Sequence, residues 1–133
     1  MTEPAWLSTD VVLALHEEPL MLHGGPEGVR DMGLLESALA RPKNIFHDSE
    51  DIPSIARLAA AYAKSVVANH PFVDGNKRTA FIVSVTFPQL NGLKLTAAKE
   101  DGVFTFWSLA DGSLSEEKLG AWFERNAVPR QLP

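Results

Sequence analysis

His70 and Asp74 stand four residues apart in the run His70-Pro71-Phe72-Val73-Asp74-Gly75-Asn76-Lys77-Arg78. An imidazole titrates near neutrality and can take a proton from a hydroxyl. A carboxylate such as Asp74 is a natural ligand for a hard cation like magnesium. Gly75 lets the backbone approach a ligand closely and adopt dihedrals closed to other residues. Asn76 is placed to open a helix, whose first amides have no intrahelical partner and, with the helix dipole, attract anions. Lys77 adds a point charge and Arg78 a fork of donors. A base, a metal-binding carboxylate, open amides and cations in so short a stretch are what phosphoryl or nucleotidyl transfer requires. Pro71 and Phe72 read as members that pin the loop against the core.

Taken singly, each feature has a blander reading. A histidine at a helix end is usually a cap or a surface group, and Asp-Gly-Asn is usually a turn. Two cations at a helix start are opposed by the dipole, however, and a bound anion would resolve that conflict.

The elements that must hold this run are helical. Ser8 or Thr9 can cap a first helix carrying Val11, Val12, Leu15 and Leu22, with Pro19 bending or ending it. Residues His23 to Gly28 read as a loop. Asp31 caps a short helix that turns Leu34, Leu35, Ala38 and Leu39 inward and stops at Pro42. Residues Asn44 to Asp51 are polar and read as a loop containing an exposed His47. With Pro53 in its first turn, Ile55–Asn69 is rich in alanine and valine and apolar nearly all round, the pattern of a buried central helix.

Beyond the polar run, Thr79 to Leu90 is again apolar. Pro88 frays its last turn, and Asn91-Gly92 gives a left-handed stop. Leu93-Lys94-Leu95 is a brief extended piece. Lys99 to Leu109 reads as a helix with Val103, Phe106 and Trp107 available to the core. After a turn at Asp111-Gly112, Ser113-Leu114-Ser115-Glu116 has the form of a capping box for a last helix that buries Leu119, Trp122 and Phe123. The expected fold class is all-α, a compact single-domain bundle of five to seven helices spanning residues 1–133.

The bulk numbers exclude several classes. With no cysteine, disulfides, thiolate metal sites and cysteine nucleophiles are ruled out. A net charge of −5 with no lysine or arginine run argues against direct nucleic-acid binding. No apolar stretch approaches the roughly 20 residues that span a bilayer. Met1-Thr2-Glu3-Pro4 lacks the pattern of a signal peptide, so a cytoplasmic protein with no membrane partner is expected. His16 and His23 read as surface or satisfied histidines rather than zinc ligands. Arg30-Asp31 reads as a loop ion pair or a cap.

The run from His70 to Arg78 resembles the signature of the Fic family, His-x-Phe-x-Asp/Glu-Gly-Asn-x-x-Arg. Gly24-Gly25, the stretch Val29-Arg30-Asp31-x-Gly33-Leu34-Leu35-Glu36-Ser37-Ala38 and the Asn91-Gly92 stop resemble the family's Doc ("death on curing") branch, toxins of toxin–antitoxin pairs. The resemblance covers most of the chain and implies a Fic/Doc-like fold. It implies a toxin kinase that transfers the γ-phosphate of ATP, with Mg2+, to a Ser/Thr hydroxyl of a protein, elongation factor Tu, and so blocks translation. His70 would be the base and Asp74 the magnesium ligand. Gly75, Asn76, Lys77 and Arg78 would cradle phosphate, with Pro71 and Phe72 positioning the motif.

A loop of Pro42, Lys43, Asn44, Ile45 and Phe46 would serve as a flap that docks the target. The usual AMP-transferring member has glycine in place of Lys77 and a second arginine in place of Phe81, which points away from AMP transfer. Gly75 is the AMP-transferring form, so an AMP transferase stands as the alternative. An inactive antitoxin-binding module is the third reading. The inhibitory pattern Ser/Thr-x-x-x-Glu-Gly/Asn fails at Asp101 in Thr96-x-x-x-Glu100-Asp101. Restraint would then come from a Phd-like antitoxin whose C-terminal segment folds as a helix onto the chain, with Trp6, Phe46 or Trp107 as its dock.

Overall fold

A computed structural model describes residues 3–23 and 28–130. Residues 24–27 and the side chains of 18–23 lie outside that description, and with them the expectations for Gly24-Gly25, Leu22 and His23. Six helices and two short strands follow in the order α1 (Thr9–His23), α2 (Met32–Asp48), α3 (Ile55–Asn69), α4 (Asn76–Leu90), β1 (Leu93–Leu95), α5 (Lys99–Ala110), α6 (Glu116–Asn126) and β2 (Ala127–Pro129).

Helix α3 is the axis. Its alanines keep it thin enough for α2, α4 and α6 to pack around it. The stretch from Leu58 to Ala63 is wholly out of water. Ser54 caps the helix through the Arg57 amide, so Pro53 lies just before the cap rather than in the first turn. Tyr62 is buried as well, and its hydroxyl accepts from the Leu7 amide at 3.2 Å. Burial pushes that hydroxyl's pKa up, against the lowering effect of the bond. Helix α4 lies against α3 on one side, with α1 and α5 also touching it. A second aromatic group, Trp6 stacked on Phe87 with Phe46 edge-on, closes the end of the core where the chain begins.

Several expectations need correction. Pro42 does not stop α2, which runs on to Asp48 with Pro42 inside it and buried. A proline there removes one backbone bond and crowds the carbonyl four residues earlier. Packing of the Leu35, Ala38, Leu39 and Pro42 face against α3 outweighs that local cost. Residues 44–48 are therefore helix rather than loop, and His47 sits in the last turn of α2. The first helix likewise continues through Pro19 to His23.

Val103 and Trp107 are exposed on α5, and Phe106 alone of the three enters the core. The cap of α6 is Ser115, accepting from Lys118 N, two residues later than the expected box. Leu93–Leu95 finds a partner that the sequence did not advertise, pairing antiparallel with Ala127–Pro129.

Candidate active site

The end of α3, the loop and the start of α4 bring the polar run to one place. His70 is the C-cap of α3, in the left-handed region at φ 48°, ψ 54°. A non-glycine residue there costs on the order of 1 kcal/mol and needs outside support. Arg30 supplies it, donating Nε to the His70 carbonyl at 2.8 Å and Nη2 to the Asn69 carbonyl at 3.0 Å. The amides of Arg30 and Asp31 both donate to Pro71 O, and Val73 N donates to Gly28 O. The segment before α2 is thus stitched along the motif loop, with Val29 bridged to Phe72. Asp31 then caps α2 through the Leu34 amide. Arg30 and Asp31 are a clamp and a cap, not an ion pair with each other.

Inside the loop, Asn76 works as a staple. Its side chain accepts from Phe72 N and donates to Phe72 O, both at 3.0 Å. Phe72 is wholly buried and Asn76 nearly so. Gly75 is the N-cap of α4 at φ 79° and offers no side-chain cap. The first intrahelical bond runs from Thr79 N to Gly75 O at 2.9 Å. The amides of Asn76, Lys77 and Arg78 precede it and have no carbonyl within the helix to meet. Helices α1, α2, α3 and α6 each have a serine or aspartate filling this role. Helix α5 lacks such a cap, but Glu100 and Asp101 stand in its first turn. The first turn of α4 carries two cations and no acid, the composition of an anion site.

These groups share one cavity of about 430 Å3, walled by Val67, His70, Asp74, Gly75, Asn76, Lys77, Arg78 and Ala110. Every motif residue expected to do chemistry is in that wall. Pro71 and Phe72 are buried and do not line it. Lys77 leans over the exposed Trp107 ring, with Nζ 4.2 Å from the centroid. A smaller apolar hollow of about 290 Å3, walled by Phe81, Val103, Phe106 and Trp107, shares Lys77 and Arg78 with the main cavity.

Asp74 is the one carboxylate lining the main cavity, and among the described residues no three metal-binding side chains cluster. Magnesium commonly takes one or two carboxylates and fills its octahedron with water and phosphate oxygens. The donor set therefore fits magnesium that arrives with a nucleotide.

None of Pro42, Lys43, Asn44, Ile45 and Phe46 lines the cavity, and they are helical, so the loop expected there does not exist. Two residues that hold the motif were missed in their role, Arg30 and His16. His16 is buried, as a satisfied histidine is expected to be, but it bonds the motif itself through Asp74 O. Neither is adjacent to the run in sequence, so no local spacing could have linked them to it.

Residues 6–87 match the model of the Fic/DOC family, a span that contains the whole motif. Toxin Doc of Mycolicibacterium smegmatis is 45% identical over 74 residues, which are 56% of this chain and 57% of that protein. Protein kinase doc of Escherichia phage P1 is 28% identical over 95 residues, 71% of this chain and 74% of that protein. The match to the Mycolicibacterium protein thus spans a little over half of its length. No helix among the described residues is long and apolar enough to cross a membrane. With a family model matched over most of the chain and the motif gathered in one cavity, the chain belongs to the Fic/DOC family.

Proposed function

We propose that this chain is a protein kinase of the Doc type that moves the γ-phosphoryl group of ATP to a Ser/Thr hydroxyl of a protein. The observation that carries this reading is the single cavity holding His70, Asp74, the open end of α4, Lys77 and Arg78. The similarity to the phage P1 protein named as a kinase supports the same reading.

The chemistry follows from the arrangement. His70 takes the proton of the target hydroxyl as its oxygen bonds to the γ-phosphorus, and the bond from that phosphorus to the β–γ bridging oxygen breaks to release ADP. The amides of α4, Lys77 and Arg78 face the charge that builds on the phosphoryl oxygens. Asp74 would hold Mg2+ against the phosphates, where the ion supplies charge neutralisation when bound.

Lys77 and Phe81 support phosphoryl transfer over AMP transfer. The Phe81 ring, packed edge-on against Phe106 at 4.7 Å, occupies the position where AMP-transferring members carry a second arginine. Gly75 is the observation favouring AMP transfer as the second reading. Family resemblance supports elongation factor Tu as the target, a cytoplasmic setting, and a Phd-like antitoxin that docks a helix on the chain. If residues 42–46 help to dock the target, they do so as the last turns of α2.

The test is transfer of label from ATP to elongation factor Tu by the purified chain. Label from the γ position on the protein supports the kinase, and label from the α position would establish AMP transfer instead. His70→Ala should lower the rate by roughly two to four orders of magnitude. Growth inhibition that survives His70→Ala and Asp74→Ala would leave only an inactive binding module.

A further inference from the structure

We propose that His16 is a positioning residue of this site: its Nε2–H holds the Asp74 carbonyl and thereby fixes the Asp74–Gly75 peptide at the cavity wall. His16 lies on α1, 58 residues from Asp74 in the chain, and is 1% exposed. Its Nε2 is 2.8 Å from Asp74 O. A carbonyl oxygen can only accept, so this nitrogen carries the proton.

The ring is held flat on Phe72, with centroids 3.8 Å apart and planes 8° from parallel. Phe72 is in turn stapled by Asn76. A Cβ on Gly75 would come within 3.6 Å of His16 Nε2. One imidazole therefore abuts the motif at Phe72, Asp74 and Gly75.

The consequence is geometric. The Asp74 carbonyl and the Gly75 amide belong to one rigid peptide plane. Holding that plane sets where the Asp74 side chain leaves the backbone and lets Gly75 turn at φ 79° into α4. On either side, the chain is tied at Val73 N to Gly28 O and at Thr79 N to Gly75 O. Between them Asn76 is stapled to Phe72, and the His16 bond is the tie on the Asp74 carbonyl. His16 is absent from the cavity wall, so it acts through Asp74 and Gly75 and touches no substrate there.

Only the activity arm of the test rests on the kinase reading. His16→Gln and His16→Asn both delete the ring stack, but the Gln amide reaches about as far as Nε2 and the Asn amide stops one bond short. Hydrogen exchange at the Val73 and Thr79 amides should match wild type in His16→Gln and speed up in His16→Asn. In the labelled-ATP assay, His16→Gln should keep kcat/KM within about threefold. His16→Asn should lose roughly tenfold to a hundredfold, the scale of a small misplacement of reacting groups.

Equal behaviour of the two variants in exchange would overturn the proposal. So would a 15N spectrum of the wild-type ring showing the proton on Nδ1 alone, a reading that needs no variant to fold. Absence of label transfer by wild type would remove the kinase reading while the exchange and tautomer results still decide the role of His16.

Discussion

At Gly75 two constraints disfavour a side chain. Its φ of 79° costs an L-residue about 1 kcal/mol. A Cβ there would also lie 2.5 Å from Arg78 Nη2, so the guanidinium would have to move. Gly75→Ala should therefore lower stability by about 1 kcal/mol in a urea titration, with transfer falling as far as the displaced Arg78 fork is needed in its present place. Full activity in that variant would mean that Arg78 is not needed where the structure places it. Arg78→Lys keeps the charge but loses the fork. A loss of about 1.5–3 kcal/mol of charge-assisted hydrogen bonding should appear as a fall of kcat/KM of one to two orders of magnitude, at unchanged melting temperature.

The open start of α4 is useful only because other elements hold it. Asn76 satisfies both backbone groups of the buried Phe72, so Asn76→Ala would strand a donor and an acceptor away from water. The expected destabilisation is about 2–4 kcal/mol by chemical denaturation, and a loss under 1 kcal/mol would show that water replaces the side chain. Arg30 joins the end of α3 to the segment before α2 through two carbonyls. Arg30→Ala should cost about 1–2 kcal/mol, and the left-handed His70 should relax. A drop in transfer rate exceeding what unfolding explains would be the sign of that relaxation.

Across the molecule, Glu116 at the start of α6 receives Arg41 from α2 and Arg57 from α3, each at 2.6 Å. Burial acts to raise its pKa, but the hydrogen bonds and charge of Arg41, with Arg57 behind them, hold the carboxyl below its ordinary 4.5. The folded state thus binds this proton less readily than the unfolded chain does. Its contribution is fully present above about pH 4.5 and fades as pH falls through the lower folded value. Glu116→Gln should cost about 1–2 kcal/mol at pH 7, given arginines that remain partly in water. Urea midpoints at pH 7 and at about pH 3 should then fall less in Glu116→Gln than in wild type. Parallel declines would mean that the pH dependence comes from other carboxylates.

What the sequence determined by itself was local. The alanine-rich Ile55–Asn69, the start of α4 at Asn76, the left-handed stop at Gly92 and the motif His70 to Arg78 all follow from side chains within a few positions of each other. Tertiary structure decided what depends on partners far along the chain. Pro42 stays helical because α3 is there to bury its face, and of the α5 aromatics Phe106 enters the core while Trp107 stays outside. His16 and Arg30 reach the motif only once α1 and the segment before α2 are folded against it. Spacing along a chain reports which groups one helix or loop can present together, whereas the groups that hold them still are chosen by packing, which has no fixed distance in sequence.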